Sequence, residues 1–313
     1  MTQPNPASDY ILLAGPTASG KSALALDFAD QLNGVIINAD SMQVYADLRV
    51  LTARPSEDDE ACQPHKLYGT VDGAERYSVG RWLVDLHVAV DETRAQGKLP
   101  IIVGGTGFYL NAAEQGISTI PDIPEEAREE AISYHQKQGG QATLETLQKV
   151  DPIIADRLEA GDSQRLVRAL EVVMHTGKPL SYWQSRPREG GLTGRAFKIA
   201  HIPEREVVYK RINKRFSAMI EIGGLAEVEQ LLQRRLAPDL PVMKALGVTA
   251  LAAFLNGTCD KQEAIYVASR DTRHYAKRQM TWLRNNFISN YENNETYSNQ
   301  LCHKIFAKIL QTT

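Results

Sequence analysis

The sequence predicts an α/β protein: a parallel sheet with helices on both faces, interrupted by an inserted helical segment. Three observations carry this. Apolar runs of strand length alternate with segments of helical period over the first 105 residues. The first run, YILLA at 10–14, leads straight into GPTASGKS at 15–22, which fits the phosphate-cradling pattern G-x-x-x-x-G-K-[ST]. From about residue 117 the strand signal disappears, and it returns only at 197–202.

Taken in order, 10–14 reads as a buried strand, 15–22 as the loop, and 21–31 as the helix it opens. Residues 34–39 read as a second strand with Asp40 at its carboxyl end. Residues 82–95 have helical period and stop at Gly97; 99–105 form a third strand ending in a Gly-Gly turn before Thr106. Ligands of parallel sheets bind where strands end, so the loop, Asp40 and Thr106 are expected on one edge. A turn-rich connector at 121–124 opens the insertion, with helices expected at 125–138, 142–150, 152–159 and 163–175 and no strand among them. Gly177 and Pro179 stop the last of these, and 186–194 reads as a Gly- and Arg-rich loop. After the returning strand come helices at 205–222, 224–235, 249–255 and 261–285. The polar tail beyond 286 reads as loosely ordered until 301–310. The division is therefore 1–116 (first part of the core), 117–195 (helical insertion), 196–287 (return to the core and C-terminal helices) and 288–313 (tail).

Bulk composition limits the function classes. Apolar residues make up 43% and charged residues 23%, ordinary for a globular protein whose length permits a sizeable core. A formal net charge of -3 restricts any nucleic-acid surface to a local patch. Cys62, Cys259 and Cys302 are far apart in sequence, which suggests neither a metal knot nor a disulfide framework and fits a reducing cytoplasm. The N-terminus MTQPNPASDY has no basic-then-apolar leader pattern, and no run of about 18 apolar residues suggests a membrane span.

The chemistry starts at the loop. Gly15 and Gly20 let the backbone wrap an anion, while Pro16, Thr17, Ala18 and Ser19 supply the turn between them. Lys21 would neutralise terminal phosphate oxygens, and the Ser22 hydroxyl is placed to hold Mg2+. Asp40 has three readings: metal ligand, general base or cap of the following helix. The third strand, unlike that of most nucleotide hydrolases, ends with no carboxylate; GGT at 104–106 either makes a tight turn or brings a hydroxyl and bare backbone against a ligand. Arg270, Arg273, His274, Lys277 and Arg284 recur along one helix, and basic residues also cluster at 210–215 and at Arg165 and Arg168. Single charge runs are usually solvated faces, but three around one core favour a polyanionic partner.

These segments together resemble the bacterial tRNA dimethylallyltransferase family. The resemblance rests on GPTASGKS (15–22), DSMQVY (40–45), VGGTGFYL (103–110), DSQRLVRALE (162–171), GKPL (177–180), GLAEV (224–228) and TRHYAKRQMTWLR (272–284), in that order, and covers about residues 10–287. It implies a P-loop NTPase-like core with an inserted tRNA-binding domain, acting as a cytoplasmic, monomeric, Mg2+-dependent prenyltransferase. Dimethylallyl diphosphate would be the donor. The acceptor would be N6 of the adenine 3′-adjacent to the anticodon, in the anticodon stem-loop of tRNAs reading codons that begin with U. The loop would then grip an isoprenoid diphosphate, although taken alone it reads as an ATP site.

By the same resemblance, Asp40 would take the N6 proton, Thr106 would donate to the oxygen bridging the donor's C1 and phosphorus, and Arg215 would reach the diphosphate. Asp40, Ser41, Met42, Gln43, Thr106, Arg128, Gln164, Arg165, Leu166, Val167 and Arg168 would touch tRNA, with the insertion closing over the anticodon loop. The chain departs from the family pattern at 47–55 (DLRVLTARP), at 64–67 (PHKL, where two adjacent His are usual) and at Gly247-Val248. Two other classes compete. A small-molecule kinase would need an acceptor pocket and a mobile lid; a non-catalytic RNA-binding protein would not need Lys21, Ser22, Asp40 and Thr106 intact.

Overall fold

A computed structural model describes residues 8–311; the leader-free reading of the N-terminus falls partly on residues 1–7, outside that range. The chain runs β1 (Tyr10–Ala14), α1 (Lys21–Leu32), β2 (Gly34–Asn38), α2 (Glu57–Cys62), β3 (His65–Lys66), α3 (Val79–Ala95), β4 (Leu99–Gly104) and α4 (Gly107–Gln115). Next come β5 (Ile117–Ser118), α5 (Glu125–Val150), α6 (Pro152–Ala155), α7 (Ser163–Thr176), α8 (Leu180–Gln184) and β6 (Arg188–Glu189). The remainder is β7 (Ala196–His201), α9 (Arg205–Met219), α10 (Leu225–Gln233), α11 (Val248–Leu255), α12 (Lys261–Asn286), β8 (Tyr291–Asn293) and α13 (Asn299–Gln311). Two compact units result: 1–114 with 192–313, and Gln115–Gly191.

The first unit holds a parallel sheet in the order β3-β2-β4-β1-β7-β8. Every residue of β1 and β2 is buried, as befits apolar strands covered on both faces. With β4 lying between β1 and β2, the turns after all three strands end side by side. Close backbone approach there depends on Gly104, whose missing side chain leaves room for the Ala39 carbonyl. α1 is flanked by two caps in the left-handed region, Gly20 with φ 104° before it and Asn33 with φ 52° after it.

The tail departs from the expectation of loose order. β8 pairs with β7 in the register Ile199↔Tyr291, Ala200↔Glu292 and His201↔Asn293, so it is the sixth strand of the sheet. Beyond it, α13 buries Leu301, Cys302, Ile305 and Ile309 in the same core as Phe28, Ile36, Ile101 and Phe197. Each aliphatic side chain so buried stabilises the fold by about 1.5–3 kcal/mol. The tail is therefore part of the core rather than a separate segment.

The helices at 205–222 and 224–235 also differ from expectation. α9 ends at Met219 and passes into a widened turn, Ile220–Gly224, in which Gly223 takes φ 119°.

The second unit packs Ala131, Leu147, Leu166, Ala169, Leu170 and Val172 into its own core. The helices read at 125–138 and 142–150 form one element, α5, kinked at Gly139 with φ 81°. The segment 152–159 is helical only over α6, Pro152–Ala155. Asp151 is buried and accepts from the N–H groups of Ile154 (3.3 Å) and Ser181 (3.0 Å), tying two helix starts together. The unit is not free of strands, since β5 and β6 form a short antiparallel pair at its two chain ends.

Candidate active site

The phosphate loop follows β1 and closes over its own backbone. Ser19 N–H donates to Pro16 O at 3.2 Å, and Ala18 takes φ 61°. Bends of this kind just before a helix start are the setting in which backbone amides bind anions. The Ser19 carbonyl is held by two side chains. Arg211 Nη1 donates to it at 2.7 Å and His201 Nε2 lies 3.0 Å from it. Gln279 from α12 spans two loops, accepting from Thr17 N–H (2.8 Å) and donating to Gly105 O (2.8 Å).

Lys21 donates to Pro16 O at 3.3 Å. Burial of its ammonium, with help from the Arg215 charge, pulls its pKa down to about 8, while Asp40 opposes the shift. Arg215, on α9, reaches the loop and donates from Nη2 to Thr17 Oγ1 at 2.7 Å. Burial lowers its pKa too, again against Asp40. Ser22, in the first turn of α1, is exposed into the same cavity.

Asp40 follows β2. Its Oδ1 accepts from Met42 N–H at 2.9 Å and, at longer range, from Gln43 N–H at 3.4 Å. The capping reading is thus realised on a turn rather than on a helix. Asn38, fully buried, accepts from Asp40 N–H (2.8 Å) and donates to Asp40 O (3.0 Å), which fixes the backbone beneath the carboxylate. Thr106 follows β4, and its Oγ1 accepts from Ser41 N–H at 3.1 Å. Gln43 donates to the carbonyls of Thr52 and Ala53, both at 2.8 Å, and so holds the 47–55 segment.

Two adjoining cavities share Thr17, Asp40, Thr52 and Arg215 in their walls. One, of about 590 Å3, is lined by the loop and by Lys21, Arg211, Lys214 and Arg215. The other, of about 290 Å3, has apolar walls from Leu51, Ile212, Phe216, Met219 and Leu246, with Tyr275 and Arg278 at its side. Burial, then the Asp40 charge, pushes the Tyr275 phenol well above its usual range, so it stays a neutral hydroxyl. A cationic cavity and an apolar one thus meet at one carboxylate. Together they can hold a polyphosphate joined to an apolar group, with a base at the junction.

The strand-end expectation placed the loop, Asp40 and Thr106 on one edge, and the structure brings them together there with Ser41, Met42 and Gln43. Arg128, Gln164, Arg165, Leu166, Val167 and Arg168 lie in the second unit. Gln164, Arg165 and Arg168 are exposed on α7; Arg165 pairs with Asp162 at 3.8 Å and Arg168 with buried Glu171 at 2.5 Å. Leu166 corrects an expectation: its side chain is fully enclosed in that unit's core and has no surface to offer RNA. On α12, Arg270, His274, Lys277 and Arg284 are exposed, as the basic-face reading expects. Sequence reasoning missed His201, Arg211, Gln279, Asn293 and Tyr297 as supports of the loop. Arg211 stood within the basic run at 210–215 and Gln279 within TRHYAKRQMTWLR (272–284), but His201, Asn293 and Tyr297 carried no motif signal.

Comparison with known proteins gives a consistent picture. A family model described as IPP transferase matches residues 43–286, and one described as isopentenyl transferase matches residues 8–68. The chain is 50% identical to a tRNA dimethylallyltransferase of Azorhizobium caulinodans, over 88% of each chain. It is 46% identical to one from Paramagnetospirillum magneticum, over 96% of each. Among solved structures, it resembles a full-length tRNA isopentenylpyrophosphate transferase from Bacillus halodurans (TM-score 0.68, 31% identity, 97% of each chain). It also resembles a eukaryotic dimethylallyltransferase acting on tRNA (TM-score 0.73, 28% identity, 88% of this chain and 69% of that one).

Proposed function

The chain belongs to the IPP transferase family, that of the tRNA dimethylallyltransferases, and from this premise we propose how its site prenylates tRNA. It is a tRNA-modifying prenyltransferase. The donor in this reading is dimethylallyl diphosphate. The acceptor is N6 of the adenine at position 37, 3′-adjacent to the anticodon, in tRNAs reading codons that begin with U. The products are N6-dimethylallyladenosine and diphosphate. The observation that carries the reading is the meeting of the cationic and apolar cavities at Asp40.

The diphosphate lies in the loop against its amides, Lys21 and Arg215, and the five-carbon group extends toward the apolar cavity. The adenine leaves its stack to reach the site, as any base must that reacts at a buried edge atom. N6 attacks C1, the C1–O bond breaks as the N6–C1 bond forms, and the electron pair leaves with the diphosphate. Asp40 accepts the N6 proton. Fixed positive charge is worth most where negative charge develops, on the bridging and terminal oxygens. Thr106 accepts from Ser41 N–H at 3.1 Å and donates to Ser41 Oγ only at a long 3.5 Å, so in this reading its hydroxyl hydrogen turns from Ser41 to the bridging oxygen when the donor binds.

Mg2+ fits the residues present. Ser22 offers a hydroxyl, Asp40 lies in the same cavity wall, and an all-oxygen donor set completed by diphosphate and water suits a hard cation. When bound, the ion neutralises leaving-group charge. No cluster of three or more His, Cys, Asp or Glu among the described residues forms a protein-only cage, so the ion would arrive with the diphosphate.

In this reading the tRNA contacts are Asp40, Ser41, Met42, Gln43, Thr106, Arg128, Gln164, Arg165, Val167 and Arg168, together with the exposed cations of α12. No helix among the described residues is long and apolar enough to cross a membrane. A cytoplasmic monomer is the corresponding proposal. The kinase alternative is not favoured, because β4 ends in Gly104 without a carboxylate and the relatives are transferases acting on tRNA.

Equilibrium binding of dimethylallyl diphosphate and of ATP tests the donor assignment. Tight, Mg2+-dependent binding of the isoprenoid, weakened by Lys21→Ala, and no ATP turnover are expected. ATP hydrolysis without isoprenoid binding would return the loop to a kinase.

A further inference from the structure

We propose that Asn293 is a positioning residue for the phosphate loop, acting through His201 on the Ser19 carbonyl. The proposal rests on reading the loop as the diphosphate site. Asn293 lies beyond residue 286, where the match to the family model ends.

The two side chains are register partners, Asn293 on β8 opposite His201 on β7, and Ile202 N–H donates to Asn293 O at 2.9 Å. His201 is fully buried and Asn293 is 7% exposed. The ring is held at both nitrogens, with Nε2 3.0 Å from Ser19 O and Nδ1 3.0 Å from the Asn293 amide. A carbonyl only accepts, so Nε2 carries the hydrogen. A neutral ring then presents a lone pair at Nδ1, which needs a donor. As placed, Asn293 turns Oδ1 toward Nδ1 and leaves its buried Nδ2 without a partner. Rotating the amide by half a turn puts Nδ2 on Nδ1, since amide oxygen and nitrogen exchange places without further movement. Asn293 thereby selects the tautomer that donates to Ser19. Burial, with the nearby Lys21 and Arg211 charges, keeps the ring neutral and supports this assignment.

The consequence for the loop follows from the planar trans peptide. The Ser19 carbonyl and the Gly20 N–H point in opposite directions, so holding the carbonyl outward aims that N–H into the anion centre. Arg211 holds the same carbonyl from α9, so the Asn293–His201 pair is the second clamp on it. Tyr297, also from the tail, closes the other side. Its Oη donates to Asp27 at 2.8 Å, and its Cβ would lie 3.2 Å from any side chain at Gly20. The tail is thus a support of the anion site as well as of the sheet.

A double-mutant cycle on binding of inorganic diphosphate, read by calorimetry with Mg2+ present, tests this. Asn293→Ala and His201→Leu should each weaken diphosphate about tenfold, with tRNA affinity unchanged within twofold. His201→Gln puts an amide donor where Nε2 stands and should retain binding. In that background Asn293→Ala should have no further effect, because the second donor no longer depends on a tautomer. Nitrogen NMR of histidine-labelled protein should show His201 protonated at Nε2. Equal losses from Asn293→Ala in both backgrounds, unchanged diphosphate affinity, or a ring protonated at Nδ1 alone would overturn the proposal. If Asn293→Ala does not fold, the NMR tautomer and the comparison of His201→Gln with His201→Leu decide it. Failure of the wild-type protein to bind diphosphate would instead overturn the assignment of the loop.

Discussion

Arg215 Nη2 donates to Thr17 Oγ1 at 2.7 Å, joining a helix after the returning strand to the phosphate loop near the N-terminus. The guanidinium stands where the two cavities adjoin, so in the proposed reaction its charge would face the leaving group, and its position depends on the loop. Arg215→Lys keeps the charge but loses the planar fork. It should lower kcat about tenfold, and Arg215→Ala about a hundredfold, the upper part of the ~1.5–3 kcal/mol that a charge-assisted contact is worth. Steady-state prenylation kinetics check this; equal rates in both variants would remove Arg215 from the chemical step.

Asp40→Ala should reduce kcat on the order of a hundredfold to ten-thousandfold, the usual weight of a general base. Affinity for tRNA should stay within about tenfold, because the residue acts mainly in the chemical step. The same substitution removes the acceptor for Met42 N–H, so a modest stability loss of about 1 kcal/mol is expected in denaturant melts. Parallel loss of tRNA binding and turnover would contradict the role.

Lys21 sets a pH dependence. With its pKa pulled down to about 8, the free enzyme loses this charge as pH rises through that value. Donor kcat/KM should therefore fall above about pH 8, whereas kcat, measured with the diphosphate bound beside the ammonium, should hold to higher pH. Profiles from pH 6 to 10 check it, and Lys21→Arg should move the alkaline limb of kcat/KM upward.

Gln279→Leu leaves Thr17 N–H and Gly105 O without partners in a region where Gln279 is only 6% exposed. An unfolding free-energy loss of about 1–3 kcal/mol is expected, together with weaker donor binding, because both loops lose their common tie. Chemical denaturation and donor titration measure the two effects separately.

Deleting residues 287–313 should abolish stable folding rather than trim a loose end. It removes an edge strand and the fully buried Leu301, Ile305 and Ile309. Circular dichroism and proteolysis of the truncated chain would show this; a soluble, cooperatively melting product would contradict the packing of α13.

How much of this was legible follows from where the signals lie. β1, the loop and α1 are adjacent in the chain and carry strong local patterns, so YILLA and GPTASGKS placed the strand–loop–helix unit directly. Thr106 and Asp40 followed from the rule that strand ends meet. β3 and β8 escaped notice because they are two and three residues long and polar, held by backbone pairing rather than by an apolar face. The same shortness hid Asn293, whose partner His201 is 92 positions away. Gln279 contacts Thr17 across 262 positions, a relation that only the folded sheet creates. Leu166 shows the opposite case: contact was expected of the whole run 164–168, but helical period turns the Leu166 side chain into the core.

Mass spectrometry of tRNA nucleosides tests the central claim most directly. Purified protein is incubated with Mg2+, dimethylallyl diphosphate and unmodified tRNA, beside a reaction containing ATP alone. The account predicts an adenosine heavier by one dimethylallyl group, confined to the position next to the anticodon, and no consumption of ATP. Unmodified nucleosides with ATP consumed would contradict it.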